Sequence, residues 1–162
     1  MKAFVTADNK FAVSNKKRPL AAIPAERKTL FETVRGKTVV YESWFLNELP
    51  GRMPLRDCNN YILTEKGFGS LKGANCFDDI GALRDALLKE NDADVMIIAG
   101  ASLYNAFYDD IDTFHVTKID YEYTADEFMP DLDKDPLFEI TADSDELYCF
   151  DIIYHFLKYA RK

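Results

Sequence analysis

A chain of 162 residues, 48% apolar and 14% aromatic, carries enough apolar side chain for one full hydrophobic core and too little length for two ordinary domains. Its formal net charge of −8 excludes a general binder of nucleic acid or anionic membrane, since phosphate recognition needs clustered Lys and Arg; the one basic run, Lys16-Lys17-Arg18, is too short and reads as a solvated loop. Cys58, Cys76 and Cys149 form neither a zinc motif nor a disulfide framework, no apolar run reaches the ~20 residues of a membrane span, and no signal-peptide core follows Met1, so a soluble, reduced, cytosolic protein is expected.

In chain order, Ala3 to Ala7 reads as a first strand, followed by a long polar loop from Asp8 to Ala22. Pro24-Ala25-Glu26 opens a helix, because proline in the first turn gives up no hydrogen bond. Leu30, Phe31 and Val34 line that helix with an apolar stripe, and Gly36 is placed to stop it. Thr38 to Tyr41 is a short β-branched strand, Ser43 to Leu49 a helical segment ending at Pro50-Gly51, and Tyr61 to Thr64 and Ala74 to Phe77 two more strands. Asp78 to Glu90 is a helix, with Ile80, Leu83, Leu87 and Leu88 at helical spacing. Val95 to Ile98 is apolar on both faces, as central parallel strands are, and Ala99-Gly100-Ala101 turns it into a helix carrying Leu103, Tyr104 and Phe107. The last third has strands with no helices between them, at Thr113 to Ile119, Leu137 to Thr141 and Leu147 to Tyr159. The pattern predicts one doubly wound α/β domain over 1–162, with a mostly parallel sheet and antiparallel strands at its C-terminal edge.

Few residues suggest chemistry on their own. Glu26 is a first-turn acid, favoured there by the helix dipole, or a cleft carboxylate that bonds a ligand with an amidine-like edge. Ile97-Ile98-Ala99-Gly100-Ala101-Ser102 is either a close strand-to-helix packing turn or a backbone that approaches a diphosphate; it lacks the three glycines of a dinucleotide fingerprint. Glu65-Lys66-Gly67-Phe68-Gly69 reads as a loop. His115 and His155 have no acid or nucleophile at catalytic spacing and read as structural, and no residue set suggests a metal. Trp44, Phe107 and Tyr108 read as core.

Order and spacing together resemble the dihydrofolate reductase family over nearly the whole chain. Val5-Thr6-Ala7 leads into a loop like that family's mobile active-site loop. Ile23-Pro24-Ala25-Glu26 resembles its Leu-Pro-x-Asp/Glu, and Pro54-Leu55-Arg56-Asp57 with Asn60-Tyr61-Ile62-Leu63-Thr64 its Pro-Leu-x-x-Arg-x-Asn-Ile-x-Leu-Ser. Ile98-Ala99-Gly100-Ala101-Ser102-Leu103-Tyr104 is similar to Ile-Gly-Gly-x-x-Val/Ile-Tyr, and Val116-Thr117-Lys118-Ile119, Phe128-Met129-Pro130 and Tyr148-Cys149-Phe150 follow in the family's order.

The resemblance implies an eight-stranded sheet and reduction of dihydrofolate by hydride transfer from NADPH, or from NADH, in a cytoplasmic monomer. Glu26 would bond the pterin's 2-amino group and adjacent ring nitrogen, with Thr117 bonded to Glu26 and to an ordered water. Val5, Ala7, Leu30, Leu55, Ile98 and Tyr104 would wall the substrate site, and Ser43, Thr64, Ala99, Gly100, Ala101, Ser102 and Leu103 would line the cofactor.

The departures fall on that cofactor side. The family's Gly-Arg-x-Thr reads Glu42-Ser43-Trp44-Phe45 here, so Ser43 stands for a phosphate-pairing Arg with Glu42 beside it; Ser102 replaces a frequent Arg, and Glu65 a small hydroxyl residue. At roughly 1.5–3 kcal/mol per charge-assisted bond, losing two such contacts weakens binding by a few powers of ten, unless Lys37, Lys66 or Lys72 resupplies charge. Ala21 stands for a pterin-side Trp. Cys58 stands for the Arg that grips the substrate's glutamate tail, which leaves Arg56, or Arg52, as substitutes. These losses point to a rival reading, a binding or structural protein that keeps the fold without catalysis.

Overall fold

The computed structural model describes residues 1–162. The chain opens with β1 (Lys2–Ala7), the hairpin strands β2 (Ala12–Asn15) and β3 (Arg18–Pro19), and helix α1 (Pro24–Val34). β4 (Thr38–Glu42), β5 (Asn59–Leu63) and β6 (Ala74–Phe77) precede α2 (Ile80–Leu87), followed by β7 (Val95–Ala99) and α3 (Ala101–Ala106). β8 (Thr113–Ile119), β9 (Glu127–Phe128), β10 (Phe138–Asp143), β11 (Leu147–Cys149) and β12 (Ile152–Arg161) complete it.

The main sheet runs β10-β12-β8-β1-β7-β4-β5-β6, with β11 added against the start of β12. From β8 to β6 every neighbour is parallel, and β12 and β10 are antiparallel, as expected of a doubly wound sheet with an antiparallel C-terminal edge. β4 and β7 are buried at every position, which their two-faced apolar sequences require. Alternation along β1 sends Ala3, Val5 and Ala7 into one core and Phe4 into the other. The first core is covered by α2 and α3 through Leu83, Leu87 and Leu103, and by Phe107 just beyond α3. The second is covered by α1 through Leu30 and Val34.

Three expectations need correction. The long loop from Asp8 to Ala22 contains a hairpin, and β2 pairs onward with β9 in a second, three-stranded sheet. Asp8 pins its base: the buried carboxylate accepts from the backbone N–H groups of Lys10, Ala12 and Tyr123 at 2.9–3.0 Å. The helical segment expected over Ser43 to Leu49 is a 3₁₀ helix and stops at Glu48. Leu147 to Tyr159 is not one strand; it breaks into β11 and β12 at Phe150, which adopts a φ of 53° and is 99% exposed.

Candidate active site

A cleft opens where β1 and β7 end, between the first turns of α1, the β2–β3 hairpin and the 3₁₀ helix. Ligands settle at this end of parallel sheets, where neighbouring connections leave in opposite directions. Phe4, Thr6, Glu26, Leu30, Trp44, Ile98 and Tyr104 line it.

Glu26 enters from the first turn of α1, and its side chain is 12% exposed. Burial raises its carboxyl above the ordinary range, and the Arg27 guanidinium, 3.9 Å away, together with the neighbouring Thr6 hydroxyl, offsets only part of that. Arg27 is itself directed elsewhere, donating to the Glu48 carbonyl at 2.9 Å. Tyr104 closes the floor by donating its hydroxyl to the Phe4 carbonyl at 2.8 Å.

Thr117 is not bonded to Glu26. In the β1–β8 register it pairs with Thr6, and Thr6 is the hydroxyl beside the carboxylate. The Thr117 Oγ1 is the one buried side-chain polar atom of the molecule without a hydrogen-bond partner. It faces a slot behind α1 lined by Phe4, Thr29, His115 and Phe156. A buried hydroxyl left unpaired costs free energy, and a bound polar atom would recover it.

The other predicted wall residues separate. Leu30, Ile98 and Tyr104 lie in the cleft. Val5 borders it, but the Val5 and Ala7 side chains belong to the opposite core; the alternation of β1 assigns this wall to Phe4 and Thr6 instead. Leu55 and Arg56 stand in an adjacent groove with Phe31, Val34, Arg35 and Pro50. Neither Arg35 nor Arg56 has a carboxylate within ion-pair distance, although both belong to a chain with 28 acids.

The expected cofactor side holds the largest surprise. Ala99 and Gly100 line the cleft and Ser102 is exposed, but Ala101 and Leu103 are buried behind them. Thr64 is buried and donates its hydroxyl to the Phe77 carbonyl at 3.2 Å, a sheet-edge bond that leaves it no donor for a ligand. Ser43 is half-buried at the start of the 3₁₀ helix. Glu42, at the end of β4, turns its carboxylate across the turn. It accepts from the Ser102 N–H at 3.3 Å, the Ser102 hydroxyl, the Trp44 indole N–H at 2.8 Å and the Lys17 ammonium at 3.3 Å. The Glu42 side chain is only 8% exposed. Lys17 also pairs with Glu127, which accepts from the Ser14 hydroxyl, so one chain of charges ties β4 to the hairpin and to β9. Sequence reasoning marked Glu42 only as an acid beside a missing arginine. Apart from Trp44, its partners lie 25 and 60 residues away, out of reach of local pattern.

A family model described as dihydrofolate reductase matches residues 1–161. Among solved structures, the chain is similar to the dihydrofolate reductase from Enterococcus faecalis complexed with NADP(H) and RAB-propyl. The two share 17% identity at a TM-score of 0.79, over 99% of this chain and 95% of that one.

Proposed function

Because the chain belongs to the dihydrofolate reductase family, we propose that this cleft reduces 7,8-dihydrofolate to tetrahydrofolate by hydride transfer from NADPH, with NADH as a second donor. The observation that carries the reading is Glu26, a carboxylate with a raised pKa set between Phe4, Leu30 and Tyr104. Apolar walls hold a flat ring by its faces, and one carboxylate at the edge matches two adjacent N–H donors. Glu26 would bind and orient the pterin edge, and burial, by raising its pKa, lets it hold a proton at higher pH than an exposed carboxylate does. Thr117 would bond water or substrate from behind. The dinucleotide supplies the hydride; the chain excludes solvent by folding the β2–β3 hairpin and Trp44 over the cleft mouth.

The residues present fit the two ends of the dinucleotide differently. The apolar Ile98 and Phe4 suit a ring. The Glu42 carboxylate, with no free cation beside it, opposes phosphates. That mismatch also favours the second reading, a binding protein without catalysis. An NADPH-oxidation assay with dihydrofolate, repeated with NADH, decides between them: sustained oxidation that depends on dihydrofolate supports the enzyme, and none supports the rival. No helix is long and apolar enough to cross a membrane; a cytoplasmic monomer of one domain is part of the same proposal.

Two expected results refine the site. Ser43→Arg should restore discrimination for NADPH over NADH and make it fall with added salt, because a new ion pair with the 2′-phosphate is screened. Strong NADPH preference in the unaltered protein would sink that inference. For the substrate tail, Arg56 borders the Leu55 groove without a carboxylate partner, which fits a clamp for the glutamate α-carboxylate. Binding of dihydrofolate and of a tailless pterin should differ by about 1.5–3 kcal/mol in the unaltered protein, and Arg56→Ala should erase most of that difference. An unchanged preference would pass the role to Arg35, on the same groove.

A further inference from the structure

We propose, resting on the reading above, that Glu42 is a built-in anion that occupies the donors this chain would otherwise present to the cofactor's phosphates, so that its carboxylate sets how tightly the dinucleotide is held. The carboxylate is almost fully desolvated, and its donors come from three separate segments: the turn after β7, the 3₁₀ helix and the β2–β3 hairpin. A buried carboxylate is tolerable only with such a set of partners, so the donors are committed to it. Its stem lies flat on Gly100: a Cβ built there would stand 2.5 Å from the Glu42 Cγ and 2.6 Å from its Cδ. The stretch of backbone left bare of any side chain is therefore covered by the protein's own carboxylate. A second anion brought to the same donors meets a like charge in a poorly solvated place.

The clamp reaches further than one turn. Lys17 joins Glu42 to Glu127, and Ser14 joins Glu127 back to β2. Displacing Glu42 strips the hairpin of one of its two ion pairs to the body of the molecule. It also strips the Trp44 indole N–H of its acceptor. Trp44 is the only tryptophan, so its emission reports the state of this one carboxylate.

The test titrates NADPH into the unaltered protein, Glu42→Gln, Glu42→Ala and, as a nearby charge control, Glu48→Gln, reading Trp44 emission without turnover. Glu42→Gln keeps the shape and one acceptor but removes the charge and the acceptor that holds Trp44 and Lys17; Glu42→Ala removes the occupant. Either variant should bind NADPH on the order of tenfold tighter or more, and Glu48→Gln should stay within about threefold, since that half-exposed carboxylate pairs loosely with Arg27, at 3.8 Å, and holds none of the donors that Glu42 occupies. Equal NADPH affinity in the unaltered protein and both Glu42 variants would overturn the proposal and leave the reductase reading standing. So would tightening as large in Glu48→Gln, since the effect would then be general charge. Absence of binding in every form would overturn both.

Discussion

Glu26→Gln is expected to lower turnover about 10²-fold or more while leaving the protein as stable at neutral pH as before, or more stable. Two separate effects of one burial produce this result. For catalysis, a carboxylate offers two acceptors to the two adjacent N–H donors of a pterin edge; glutamine offers one acceptor and turns an NH₂ donor toward the other donor. The variant therefore loses a charge-assisted pair and the group whose pKa is placed to manage a proton. For stability the sign runs the other way. Burial raises the Glu26 pKa in the folded protein above its ordinary value of 4.5. A group raised on folding favours the folded state below its unfolded pKa, and that contribution is lost as pH rises through the folded pKa. Above the folded pKa the ionised carboxylate is thus a cost to the fold, and glutamine, which resembles the protonated form, removes it. Melting curves from pH 4 to pH 8 should show the variant level with the parent at the acid end and level or higher at the neutral end. A variant that melts well below the parent at pH 7, or that turns over at the parental rate, would mean that Glu26 serves α1 and not the cleft.

The parts of the molecule that were legible in its sequence are those set by near neighbours. β8 runs from Thr113 to Ile119 and β7 begins at Val95, as their apolar runs predict. Pro24 begins α1, and Asp79 caps α2 by accepting from the Ala82 N–H at 2.8 Å. What was not legible depends on distant partners. Lys16 to Arg18 has the composition of a solvated loop, yet the Lys16 N–H reaches the Asp126 carboxylate and Lys17 reaches Glu127 and Glu42. Motif order brought Glu26 to the cleft and Val5 to its border, but motif order is silent about strand parity, which turns the Val5 and Ala7 side chains into the opposite core and brings Phe4 and Thr6 to the cleft. Parity was available from β1 itself: with Thr6 beside Glu26, the side chains of Val5 and Ala7 point to the other face of the sheet.

Gly100→Ala is expected to be the most damaging single methyl added near the cleft. Gly100 holds a φ of +115°, a conformation that side chains other than hydrogen rarely adopt, and the new Cβ would lie 2.5 Å from the Glu42 Cγ. Backbone strain accounts for about 1–3 kcal/mol and overpacking for about 1–3 more, which lowers the melting temperature by roughly 4–24 °C at about 2–4 °C per kcal/mol. The two causes can be separated because only one of them involves Glu42. In Gly100→Ala/Glu42→Ala the overlap is gone and the strain remains, so the double variant should be less damaged than the sum of the singles by about 1–3 kcal/mol. Glu42→Ala itself leaves the Trp44 and Ser102 donors to solvent, a separate loss that the cycle subtracts. Additivity to within about 0.5 kcal/mol would show that the Glu42 side chain leaves the turn at little cost when pushed. That result would also weaken the case that its carboxylate competes with a dinucleotide, since an occupant so easily displaced cannot set the affinity of the ligand that replaces it.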